Sequence, residues 1–254
     1  MRFIGIDLAW TYKNETGLCV LDQDGTVLLL DSKVYTDDQL ADLIEHYAQG
    51  EAVIGIDAPL IVKNQEGSRD AERQLMKTKI HGHRIYAFIT NRSFMLRTFK
   101  QLRGETLVGH IQERLPEATY ALEAQDQGVV VQETFPTGIC CGLFPDAYPI
   151  RYKIKGKVPF ETTKAEMVRL LDLLKGLEEA SRIRNLLVHL DYQPEKIKKK
   201  DHKHLEDKVD AFLCAYGLMA LYKKWAKPLT FGDLETGFFT LPMGERTMGA
   251  GGKL

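Results

Sequence analysis

Hydrophobic positions in this chain follow two rhythms. Near the N-terminus, Phe3 to Leu8, Asn14 to Leu21 and Thr26 to Val34 read as three strands in succession. A polar turn, Thr11 to Asn14, separates the first two, and Asp22, Gln23, Asp24 and Gly25 make a hairpin signal before the third. The rhythm then becomes helical. Thr36 followed by Asp37, Asp38 and Gln39 predicts an N-cap with acids in the first turn. Leu40, Leu43, Ile44 and Tyr47 recur on one face of that helix until Gly50 closes it. Ala52 to Ile56 is apolar without alternation, which predicts a strand buried on both faces, ended by Pro59.

Residues 61–128 are charged and punctuated by Gly67, Gly82, Gly104 and Gly109. Helices are expected at about 68–78, 91–102 and 108–124, as a helical insertion after the fourth strand. A further strand starts at Gly128, carries Glu133 near its end and stops at Pro136. A short helix is expected over 137–143. Thr162 or Thr163 then caps a helix bearing Met167, Leu170, Leu171 and Leu174 at helical spacing. A basic loop, 194–203, leads into a long helix, 204–225, and the chain finishes with a short terminal strand. This pattern predicts one α/β domain over 1–254 with a mixed sheet.

Composition narrows the classes. At 254 residues and a formal net charge of −1, the chain can bury one substantial core and has no global basic field. Lysines cluster locally: Lys153, Lys155 and Lys157 form one group, and Lys196, Lys198, Lys199, Lys200 and Lys203 another. Such clusters bind phosphate even in a neutral chain, although a solvated surface is the plainer reading. Cys19, Cys140, Cys141 and Cys214 form no Cys-x-x-Cys pair and read as reduced thiols. The chain opens directly on a strand, without a signal-peptide pattern, and no apolar run reaches ~18 residues. A soluble, cytoplasmic protein without a membrane partner is expected.

The candidate chemistry is carboxylate-based. Asp7 and Asp57 each end an apolar strand, and Asp207 and Asp210, three apart, share one helix face. Taken singly, an Asp at a strand end is a cap or turn former. Together, four such carboxylates make a nest for hard divalent cations, Mg²⁺ or Mn²⁺, which take oxygen ligands. Crowded carboxylates repel, so a cation or a proton is expected among them. The pairs His81/His83 and His202/His204 lack further spaced ligands for zinc, though His204 lies near enough to Asp207 to orient a water or phosphate. Phe94, Phe99 and Trp225 read as core. No Walker motif or Gly-x-Gly-x-x-Gly is present.

Three antiparallel strands, then a helix returning the chain to a fourth strand beside the first, put Asp7 and Asp57 at one sheet edge. That order matches the ribonuclease-H-like core. The chain resembles domain-of-unknown-function family 429, predicted to be ribonuclease-H-like nucleases. The resemblance rests on Gly5 to Trp10, Asn14 to Leu18, Ile56 to Leu60, Arg69 to Leu75, Glu133 to Pro136 and Asp207 to Ala211, in that order along nearly the whole chain. It implies a mixed five-stranded sheet flanked by helices. It also implies Glu133 as a further carboxylate beside Asp7, Asp57, Asp207 and Asp210, all serving as catalytic metal ligands. Ribonuclease H proper takes another acid from its first helix, where Asp42 and Glu45 stand without a local signature. Arg69 either grips a phosphate bidentately or forms a surface ion pair; with Lys153 and Lys155 it would hold a DNA or RNA backbone. The expected activity is metal-dependent phosphodiester hydrolysis. Two alternatives stand beside it: a non-catalytic nucleic-acid or protein binding module, and a sugar-kinase-like or actin-like phosphotransferase. The latter shares the strand order but needs two domains and Gly-rich phosphate hairpins, of which Asn14 to Gly17 is only an echo.

Overall fold

The computed structural model describes residues 1–123 and 128–244. The last residue of the helix expected over 108–124, and the end of the 1–254 domain, lie outside them. The first elements follow the pattern closely. Strands β1 (Arg2–Asp7), β2 (Thr16–Asp22) and β3 (Val27–Lys33) are antiparallel neighbours. Helix α1 (Asp37–Ala48) opens on a complete capping box: the Thr36 hydroxyl accepts from the Gln39 amide at 3.2 Å, and the Gln39 side chain accepts from the Thr36 amide at 3.0 Å. The helix returns the chain to β4 (Glu51–Ile56), which lies parallel to β1.

The insertion is shorter in helix than expected. It holds α2 (Asp70–Lys77), a small hairpin of β5 (Lys79–Ile80) and β6 (His83–Arg84), α3 (Arg92–Phe99), α4 (Arg103–Arg114) and the short strand β7 (Thr119–Tyr120). α4 ends at Arg114 because Leu115 precedes Pro116, whose ring disfavours helical backbone before it. The chain continues through β8 (Gly128–Glu133), α5 (Pro136–Leu143), α6 (Phe160–Glu179), α7 (Lys199–Tyr222), β9 (Lys227–Asp233) and β10 (Gly237–Met243). α7 starts five residues before the expected 204, so Lys199, Lys200 and Lys203 are helical, not part of a loop.

The sheet is larger than the five strands expected. Among the described residues it has eight, in the order β3-β2-β1-β4-β8-β10-β9, with β7 pairing β8. The sequence suggested one terminal strand; β10 runs parallel to β8 and carries β9 as an antiparallel hairpin. Helices cover both faces of this mixed α/β sheet. One core joins α1 and α4 to Ile4, Ile6, Ile54, Ile56, Val129 and Val131. The other joins α5, α6 and α7 to Phe3, Val53 and Val130. Burial of these side chains stabilises each layer by roughly 25 cal/mol per Å² of apolar surface removed from water. Among the described residues no helix is long and apolar enough to cross a membrane.

Two glycines let α7 lie directly on the sheet. A Cβ on Gly5 would stand 2.1 Å from the Ala211 carbonyl oxygen, and one on Gly17 2.0 Å from that of Asp207. Only a residue without a side chain permits this approach. It sets the polar first half of α7 against the ends of β1 and β2.

Candidate functional site

The site forms beyond the carboxyl ends of β1, β4 and β8, where ligands commonly bind in parallel sheets. β1 and β4 pair through Ile6 and Ile56, and the Asp57 amide donates to the Ile6 carbonyl at 2.8 Å. Asp7 and Asp57 are therefore neighbours at one sheet edge. Strand alternation decides which way they face. Phe3 and Val53 pack under α7, and Asp7 and Asp57 have the same parity. From α7, Asp207 and Asp210 approach them: the charges of Asp210, Asp57 and Asp207 all raise the Asp7 carboxyl.

Burial and mutual repulsion raise three of these carboxyls, Asp7, Asp57 and Asp207. Burial first, then the charges of Asp210 and Asp57, holds the Asp7 carboxyl well above its ordinary range. Burial pushes Asp57 up to about 7, with Lys153 opposing and Asp210 adding to the shift. Burial also raises Asp207, against the pull of Lys203, and Asp207 takes part in a hydrogen bond with Asp7. Two lysines hold the rest of the charge. Lys153 Nζ lies 2.6 Å from Asp210 Oδ2, and Lys203 Nζ lies 2.5 Å from Asp207 Oδ1 and 3.0 Å from Glu206 Oε1. Although burial alone would lower it, Lys153 is held strongly charged by Asp210, Asp57 and Asp7. The Tyr152 hydroxyl donates to the other Asp210 oxygen.

Glu133 reaches the cleft from a different strand register, near enough for its charge to add to the rise of Asp57. It pairs with Ile56, not Asp57, so its parity is that of the core under α1 and α4. The position level with Asp57 is taken by Thr134, whose amide donates to the Ile56 carbonyl at 2.9 Å and whose hydroxyl lies 3.1 Å from Cys214 Sγ on α7. Glu133 still lines the same cleft, but Arg69 engages both of its oxygens, at 2.8 and 2.5 Å, and the Leu60 amide donates to it at 3.2 Å. Arg69 Nε donates to Glu72 at 2.9 Å, and Glu72 also accepts from the amides of Arg69 and Thr90. Neither expectation for Arg69 holds. It is buried, so it is no surface ion pair, and its guanidinium is committed to two carboxylates and the Ile61 carbonyl, so it offers no free fork to a phosphate.

The cleft beside the aspartates encloses about 750 Å³. Its basic edge carries Lys153, Lys155, Lys200 and Lys203; Lys157 is exposed elsewhere. His204 also reaches it, with Nδ1 2.6 Å from Glu15 Oε2. The cleft lining also carries a cluster of aromatic side chains, Trp10, Phe88 and Phe99, with Tyr86 close to Phe88 in sequence. Phe99 is thus a cleft residue, while Trp225 packs away from it near Arg182 and Tyr216. On α1, Asp42 pairs with Arg114 at 2.6 Å and does not line this cleft.

Oxygen donors, a buried setting and mutual repulsion suit Asp7, Asp57, Asp207 and Asp210 to a hard divalent cation. In the present arrangement, among the described residues, no three His, Cys, Asp or Glu side chains are placed to hold one ion. The lysines occupy that role, and a cation would have to displace them.

Several supporting residues carry no local signal. Arg103 is buried against Asp37 at 2.9 Å and donates to the Ala9 and Tyr35 carbonyls, both at 2.8 Å. It pins the segment that follows Asp7. Its partners lie 66 to 94 residues away, so only the folded chain identifies it. Glu72 stands in the sequence as part of the Arg69 to Leu75 segment and Lys203 as part of a lysine cluster, neither with a role of its own.

No curated protein and no solved structure matches the chain. The family described as protein of unknown function (DUF429) matches over residues 5–222, which spans every aspartate of the cluster, and the chain belongs to that family.

Proposed function

We propose that this chain is a divalent-cation-dependent phosphodiesterase acting on nucleic acid, built on a ribonuclease-H-like core. The observation that carries the reading is the convergence of Asp7, Asp57, Asp207 and Asp210 from two adjacent strand ends and one helix. The order β3-β2-β1-β4-β8 supports the core, with β10 and β9 as an extension at its far edge. The four aspartates would hold Mg²⁺ or Mn²⁺. When bound, such an ion lowers the pKa of a water and offsets charge on phosphate oxygens. Lys153 and Lys203, released from Asp210 and Asp207, are free to turn toward the phosphate. Lys155 and Lys200 add positive charge at the cleft mouth without reading sequence. Glu133 and Arg69 hold the wall on which Leu60 and Ile61 sit.

The test is a panel of single-stranded, duplex and branched DNA and RNA with Mg²⁺, Mn²⁺ or EDTA, using wild type and Asp7→Asn. Cation-dependent cleavage lost in the variant supports the reading. One observation favours a second reading, a binding module without turnover: Lys153 and Lys203 already neutralise Asp210 and Asp207. Nucleic-acid binding that is indifferent to Mg²⁺ and unaccompanied by cleavage would favour it.

A further inference from the structure

The aromatic wall of the cleft is unexplained by phosphate chemistry. Tyr86 is 72% exposed and Phe88 49% exposed, although both sit beside a polar site. Exposed aromatic groups gathered in a concave site commonly mark a ligand surface. The wall is also held in place. Trp10 packs edge-on against Phe88 at 4.5 Å and Phe99 at 4.7 Å, and Phe88 leans on Phe94 at 5.5 Å. Gln101 donates to the Trp10 carbonyl at 3.2 Å, Arg103 holds Ala9, and the Thr90 amide is tied to Glu72. In the same cleft, Lys155 and Lys200 form no salt bridge among the described residues.

A ligand that satisfies both groups is flat and apolar at one end and anionic at the other. A nucleotide has that chemistry. A base inside a duplex has both faces covered by its neighbours, whereas an unpaired base presents a free face to an aromatic side chain. We propose that Trp10, Tyr86 and Phe88 form a stacking shelf for an unpaired base of the strand whose phosphate lies at the aspartates, so that the preferred substrate is single-stranded or locally unpaired nucleic acid. The proposal rests on the phosphodiesterase reading and specifies its substrate.

Trp10 supplies the probe. In a Trp225→Phe protein it is the remaining tryptophan. In EDTA at low salt, a short single-stranded oligonucleotide should quench its emission, and the same sequence as a blunt duplex should quench it far less. Phe88→Ala should weaken single-strand binding about 5- to 100-fold, with Phe88→Tyr restoring it. Thermal melts of Phe88→Ala should show a cooperatively folded protein with a modestly lowered midpoint, since the half-exposed ring loses its contacts with Trp10 and Phe94, and Phe88→Tyr should restore the midpoint together with binding. Equal quenching by duplex, or unchanged affinity in Phe88→Ala while cation-dependent cleavage persists, overturns the shelf and leaves the phosphodiesterase standing. A mononucleotide that quenches as strongly as the oligonucleotide overturns the assignment to a strand. Absence of both cleavage and binding overturns the parent reading, and the shelf with it.

Discussion

Arg69 and Glu133 are joined by two hydrogen bonds, of 2.8 and 2.5 Å, with both side chains buried in the wall of the cleft. Burial raises the Glu133 carboxyl, and Arg69 pulls it back down. Glu133→Gln removes one charge from the pair, but Glu72 stays on Arg69 at 2.9 Å and the amide oxygen still accepts, so the variant is expected to cost ~1–3 kcal/mol in urea unfolding. Its midpoint shift with Mg²⁺ should match that of wild type. A stable variant with a lost Mg²⁺ response would instead make Glu133 a ligand of the ion.

Asp7→Asn should behave in the opposite way. The amide keeps the shape and removes a charge that burial, Asp210 and Asp57 all disfavour. Melts without metal should show the variant at least as stable as wild type, while Mg²⁺-dependent cleavage falls to background. A variant that unfolds several degrees early would show Asp7 to be a structural cap.

Asp57 confers a pH dependence on the metal-free protein. Its folded pKa is raised to about 7 by burial, so between its unfolded value and 7 the native state binds more protons than the unfolded state. Its contribution to stability is present at low pH and is lost as pH rises toward and through 7. Carboxylates held low, such as Asp31, slope the other way, so the comparison must be a difference. Wild type minus Asp57→Asn, melted in EDTA from pH 4.5 to 8.5, should fall with rising pH. A flat difference would rule out the buried acid.

Arg103→Met should destabilise by ~3–5 kcal/mol, because it leaves the buried Asp37 charge with only the Tyr12 hydroxyl as side-chain partner and frees the Ala9 carbonyl. Replacing both partners, Arg103→Met with Asp37→Leu, should recover part of that loss in a double-mutant cycle. Additive losses would mean that the two side chains act independently.

Gly17→Ala tests how α7 is seated. The new methyl would meet the Asp207 carbonyl oxygen at 2.0 Å, so helix or strand must move. Such overpacking costs ~1–3 kcal/mol. Cleavage should fall further than stability, since Asp207 shifts with the backbone. Full activity in a correctly folded variant would show that the close approach is not needed.

Much of this was legible because the signals are local. Turn chemistry and the Thr36 cap announce β1 through β4, and the helix that links β3 to β4 brings Asp7 and Asp57 to one edge. A three-residue spacing on α7 commits Asp207 and Asp210 to one face whatever they pack against. What the sequence by itself could not decide depends on register and on distant partners. One residue of register turns Glu133 to the opposite side from Asp57 and gives its level to Thr134. For Arg69 the sequence leaves a phosphate grip and a surface ion pair equally open, and the fold encloses it with Glu72 and Glu133. The lysines on the aspartates, the β9–β10 hairpin and the aromatic wall likewise arise from contacts between segments far apart in the chain. Side-chain parity and burial are properties of the packed sheet, so the aspartate cluster could be read from the chain, while its counter-charges and the shape of its cleft were decided only by tertiary structure.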